Sequence, residues 1–138
     1  MGSSLGHKTI AAVAILYTSA LTVGSLITPL EMEITPPDNT DKIVHATAYF
    51  GLMLLWSSWA RLREVAKETV SSLALNKYLK ILLFVILYGT LIEALQGILT
   101  DYRTPDVLDI VANTTGAILG LIVFVRMKDK LAWFKSQI

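Results

Sequence analysis

The 138-residue chain contains no cysteine. Disulfides, thiolate metal ligands and a cysteine nucleophile are therefore excluded, and the redox compartment stays open. Charge is scarce too: Asp, Glu, Lys and Arg make up 17% of the residues, against about 25% in an ordinary soluble domain. No basic stripe interleaved with aromatics is present, so nucleic acid is not an expected partner. Gly-x-Ser-x-Gly, the phosphate-binding P-loop and His-Glu-x-x-His are all missing.

What remains is apolar. Hydrophobic residues account for 54% of the chain, and the mean hydropathy is +0.58. That composition suits a chain whose solvent is mostly lipid. A membrane helix needs about 20 mostly apolar residues, and four stretches qualify: 9–30, 43–60, 79–100 and 105–125. Thr9–Leu30 is uncharged and longer than the apolar core of a secretory signal, so it is expected to remain as a span. Ile43–Ala60 is interrupted only by His45, and the third stretch carries Glu93 as its one charge after Lys80. Thr104-Pro105 offers a cap followed by proline at the first helical position of the fourth. Between spans two and three, Arg61–Lys80 mixes charged and apolar residues as a short surface helix would. Trp133 and Phe134, set among lysines, resemble an interfacial anchor.

The expected fold is all-α, a single domain over 1–138 built as an integral membrane bundle of four transmembrane helices. Its orientation follows from the basic residues. Lys8, five Lys or Arg between Arg61 and Lys80, and four in the tail fall on one side of such a bundle. Only Lys42 and Arg103 fall on the other, with most of the acidic residues. The positive-inside rule then places both termini in the cytoplasm.

Three polar clusters interrupt the apolar background: Asp41-Lys42-x-x-His45-x-x-x-Tyr49, Glu93-x-x-Gln96, and Arg103-x-x-Asp106-x-x-Asp109-x-x-x-Asn113. Ionisable groups in a span cost roughly 2.5–3.5 kcal/mol at the helix centre, so they mark candidate sites. Asp41, His45 and Tyr49 recur every fourth residue and line one helix stripe. Their bland roles are a cap, an interfacial histidine and an aromatic belt; the functional alternative is an imidazole oriented by Asp41 or Tyr49. Lys42 is expected to snorkel to the interface or meet lipid phosphate. Glu93 lies about seven residues, or roughly 10 Å, inside the end of its span, where a carboxylate must be paired or hydrogen-bonded. Pairing with Lys42 or Arg103 would be a purely structural answer. Asp106, Asp109 and Asn113 share about 60° of one helix face. Gly116-x-x-x-Gly120 continues that face and suits close helix contact, inside one monomer or between subunits of a homo-oligomer.

All three clusters fall near the outer face, which suggests one shared pocket. His45 is a candidate general base or nucleophile, and Glu93, Asp106 and Asp109 are candidate acids, bases or hard-metal ligands. Lys42 and Arg103 are candidate phosphate binders, with Gln96, Asn113, Asp41 and Tyr49 completing a binding surface. Oxygen-rich ligation with one histidine suits a divalent cation such as Mg²⁺, Mn²⁺ or Ca²⁺ better than structural zinc.

In this order and over these spans, the motifs resemble the VanZ-like family of small bacterial membrane proteins. The similarity covers about Asp41 to Val125; span one is similar only in being apolar. The resemblance implies a multi-pass protein of the bacterial cytoplasmic membrane, with a relative associated with teicoplanin (glycopeptide) resistance. It does not imply a settled reaction. Membrane lipids, a lipid-linked cell-wall precursor or a glycopeptide antibiotic are the expected partners. An enzyme acting on an anionic amphiphile and a non-enzymatic binding or accessory protein both stay open; a small transporter fits less well, because no internal repeat is detectable.

Overall fold

A computed structural model describes residues 2–27, 39–66, 74–100 and 104–136, with side chains omitted at 2–5, 74, 129 and 131–136. These residues form four helices: α1 (Gly2–Leu26), α2 (Thr40–Ala66), α3 (Ala74–Leu99) and α4 (Val107–Ser136). Three of them, over Gly6–Leu26, Leu75–Leu99 and Val107–Lys128, are long and apolar enough to cross a membrane. The chain is an integral membrane protein on that ground. α2 has the length, but its polar and tryptophan content keeps it below the same apolarity. The reason lies in its position. α2 packs against all three other helices, so Ser57 and Tyr49 are buried against protein rather than presented to lipid.

The tightest seam is α2 on α4. A Cβ at Gly116 would overlap the Ala46 carbonyl, and one at Gly120 would stand 2.9 Å from the Phe50 carbonyl oxygen. The Gly-x-x-x-Gly pattern therefore works inside the monomer. Nearer the other end, Tyr78 and Phe124 pack with ring centroids 5.0 Å apart beside Leu52, Met53 and Ala117. α1 is held differently. Ala14 is its single buried hydrophobic residue among those described; half-buried Tyr17 and Leu21 pack on the core, and polar bonds add to them. The Tyr17 hydroxyl donates to the Ala48 carbonyl at 3.0 Å, Trp56 Nε1 donates to Thr18 Oγ1 at 3.2 Å, and Gln96 Nε2 donates to the Ser25 carbonyl at 2.9 Å. Such bonds contribute about 0.6 kcal/mol each in lipid. Large apolar side chains point outward: Phe84, Ile98, Val107 and Leu16 are each more than two-thirds exposed, as a lipid-facing surface requires.

Two sequence expectations change. The mixed stretch Arg61–Lys80 forms no separate surface helix among the described residues. α2 runs on through Ala66 and α3 already begins at Ala74. The junction is tied by Lys77, whose ammonium donates to Glu64 at 2.7 Å and to the Ala60 carbonyl at 3.3 Å. α4 starts at Val107, two residues later than expected, because Asp106 rather than Thr104 is the cap. Its Oδ1 accepts the Leu108 N–H at 2.8 Å, and its carbonyl accepts from Asp109 at 3.0 Å. Pro105 instead lies against Gly97, where a Cβ would overlap its ring. The side chains of Trp133 and Phe134 are outside the described residues.

Candidate functional site

Asp41 and Lys42 stand in the first turn of α2, where a carboxylate complements the positive end of the helix. Asn39, just before the helix, takes a left-handed φ of 73°, a conformation that asparagine tolerates and that aims the incoming chain at this turn. Because α2 and α4 approach backbone to backbone at Gly116, the first turns of both helices come within side-chain reach. Lys42 Nζ lies 2.6 Å from Asp106 Oδ2 and 2.7 Å from Asp109 Oδ1. Donation to Asp106, with the Asp109 carboxylate alongside, holds the Lys42 ammonium well above the usual lysine range. Conversely, the bond from Lys42 and the Leu108 N–H lower Asp106. Lys42 thus cross-links α2 to the start of α4.

His45 lies one turn deeper. Its Nδ1 is 3.0 Å from Asn113 Oδ1. Since an amide oxygen only accepts, Nδ1 carries the hydrogen in this bond, and Nε2 is left to face the carboxylates. Nε2 faces Asp41 Oδ1 at 3.6 Å and Asp109 Oδ2 at 3.8 Å. Asp109 and Asn113 are buried, with 5% and 3% of their surface exposed. Three carboxylates thus meet one ammonium and one imidazole, a surplus of negative charge among the described groups.

Glu93 reaches the cluster through the backbone. Its Oε1 accepts the Asp106 N–H at 2.8 Å, so neither Lys42 nor any other cation described here neutralises it. Glu93 Oε2 and Gln96 Oε1 are buried without a hydrogen-bond donor. Tyr49, also buried, packs over Gly89 next to the Asn113 amide, where a Cβ would stand 2.7 Å from its ring. The structure therefore brings Asp41, Lys42, His45, Tyr49, Glu93, Asp106, Asp109 and Asn113 to one end of the bundle. Gln96 turns toward α1. Arg103 lies outside the described residues.

A cleft of about 240 Å³ opens beside Asp41 and His45, walled by α1 and α2. α1's share of it, including Ala20, Gly24 and Ser25, escaped the sequence reading. The signal was present in the small-residue spacing Ala20-x-x-x-Gly24, which leaves open space beside α1 at Gly24. Farther along α2, an apolar groove of about 360 Å³ is lined by Trp56, Trp59, Phe84 and Tyr88 with their neighbours.

The chain belongs to the VanZ/LLP1 family, whose sequence model matches residues 7–128 and so takes in α1 as well as the three polar clusters. No curated protein and no solved structure is similar enough to match.

Proposed function

Proceeding from that membership and from the charge asymmetry of the bundle, we propose that the acidic end faces outward from a bacterial cytoplasmic membrane. There it binds the headgroup of an anionic amphiphile of the cell envelope, a lipid-linked precursor or a phospholipid. The observation that carries this reading is a single stripe of α2. Asp41, His45 and Tyr49 line the polar cleft, and Leu52, Trp56 and Trp59 continue the same spacing into the apolar groove. A headgroup beside His45 would leave its hydrocarbon directed along Trp56 and Phe84. The basic residues gather at the opposite end, as a cytoplasmic face requires.

Any chemical step would fall to His45, whose ring is oriented by Asn113 with Nε2 flanked by carboxylates, a placement that suits proton transfer. Glu93 fixes the start of α4 and is assigned a positioning role.

A second reading is a binding or accessory protein without turnover, recognising a precursor, a partner membrane protein or a glycopeptide antibiotic, with teicoplanin resistance as one consequence. The excess of carboxylates over the Lys42 ammonium among the described residues favours it, because such a site also accepts a ligand that brings an amine.

The test is to incubate purified wild-type protein and a His45→Ala variant with lipid-linked phosphates, pyrophosphates and phospholipids, with and without Mg²⁺, reading products by mass spectrometry. Turnover by wild type alone establishes an enzyme of the envelope. Retention of a lipid without turnover supports the binding role. Neither turnover nor retention, with both proteins folded, overturns the amphiphile reading.

A further inference from the structure

We infer that Asp41, His45 and Asp109 form a divalent-cation site, with Asn113 fixing the imidazole and Lys42 holding the far oxygen of Asp109. The donor atoms of the three residues lie within 4.8 Å of one another. Ligands sharing one ion at about 2.1–2.3 Å stand roughly 3–4.5 Å apart. The 3.6 and 3.8 Å separations of His45 Nε2 from the two carboxylates already fall in that range.

Spacing of acidic groups alone would not make a site; three further features do. The first is the imidazole. Asn113 Oδ1 accepts from Nδ1, so Nε2 is turned to two carboxylate oxygens. Two carboxylates converging on one imidazole nitrogen call for positive charge between them, which a proton or a shared cation can supply. A metal-bound histidine has its other nitrogen hydrogen-bonded to an oxygen in just this way. The second is Asp109 itself. Its side chain is 7% exposed, and no hydrogen bond of good geometry reaches Oδ1, although the Lys42 ammonium is 2.7 Å away. Its two oxygens are divided: Oδ1 lies beside Lys42, and Oδ2 faces His45 Nε2 at 3.8 Å as the oxygen available to an ion. The third is access, since Asp41 and His45 line the 240 Å³ cleft.

One nitrogen and two carboxylates suit Mn²⁺ above Mg²⁺ and Ca²⁺, which prefer oxygen alone. The ion would also answer the charge problem of the proposed ligand. A phosphate approaching three carboxylates and one ammonium is repelled, whereas a divalent ion shared with the headgroup bridges them. That ligand class rests on the amphiphile reading; the ion site does not, and it is tested without lipid substrate.

The experiment titrates purified protein in detergent with Mn²⁺, reading free ion by electron paramagnetic resonance and imidazole ligation by nitrogen modulation of the bound signal. One equivalent carrying a nitrogen signature is expected. His45→Ala should abolish the nitrogen signature, and Asp109→Asn and the milder Asp41→Asn should each weaken binding at least tenfold. Asp41 is 39% exposed at its side chain, so its variant should fold. Helical content by circular dichroism checks each protein. Binding in wild type without nitrogen coupling, no binding at all, or equal binding in folded Asp41→Asn overturns the site. Ion binding that leaves lipid retention unchanged would spare the ion site and refute the shared headgroup.

Discussion

Glu93 Oε1 accepts the backbone N–H of Asp106 at 2.8 Å, joining the one carboxylate of α3 to the residue that caps α4. The bond needs an acceptor at this position and not a charge. Glu93→Gln is therefore expected to keep its helical content and thermal midpoint close to wild type. Glu93→Ala, which strands the Asp106 N–H, should lose about 1–3 kcal/mol. Thermal unfolding in detergent separates the two. Equal losses would mean that the Glu93 carboxylate has a further partner.

The Lys42–Asp106 pair makes stability depend on pH at both extremes. Asp106 is lowered in the folded protein, so its contribution is present above the unfolded carboxylate value of about 4 and is lost as pH falls through the folded value. Lys42 is raised, so its contribution is present below the unfolded lysine value of about 10.4 and is lost as pH rises through the folded one. A plateau between about pH 4 and 10 is expected, with a fall on either side. Lys42→Met should flatten the alkaline limb in thermal melts across this range. An unchanged alkaline limb would exclude Lys42 as its source.

Much of this arrangement was legible in the sequence. Apolar length gave the helices, and the clusters at Asp41, Glu93 and Asp106 announced themselves because charge in an apolar stretch needs an explanation. Pairing was not legible. Nothing in the spacing of Lys42 tells whether it meets lipid phosphate or two aspartates on a helix 64 residues away, since that depends on how closely α2 and α4 approach. The cap of α4 was misplaced for a related reason: Thr104-Pro105 is a good start signal locally, but Glu93 and Leu108 both bond Asp106. The polar glue of α1 was hidden because Thr18, Thr22 and Tyr17 raise no alarm in an apolar span.

Gly116 is the point where α2 and α4 meet backbone to backbone, with the Ala46 carbonyl in the place of a side chain. Gly116→Ala should overpack the seam and destabilise by roughly 1–3 kcal/mol. Gly24→Ala is the control, since a Cβ there meets nothing within 4 Å, and a helical alanine is favoured over glycine by about 1 kcal/mol. Thermal midpoints should therefore move in opposite directions. A neutral Gly116→Ala would show that the helices can separate without cost, and would also predict intact Lys42 pairing at a wider helix spacing.

Asn113 distinguishes an imidazole held for ligation from one merely buried. Asn113→Leu conserves size at a position 3% exposed, and it leaves Lys42, Asp106 and Asp109 in place while removing the acceptor for Nδ1. His45 then loses its reason to keep the hydrogen on Nδ1, and Nε2 is protonated in part of the population, turned toward Asp41 and Asp109. Losing such an outer partner lowers metal affinity by about 10–100-fold, so the Mn²⁺ titration should weaken by that amount. Nitrogen chemical shifts of ¹⁵N-labelled His45 read the cause directly: the Nδ1–H form alone in wild type, a mixture in the variant. A purely structural asparagine would lower the melting temperature and leave both the tautomer and the Mn²⁺ affinity of the folded fraction unchanged.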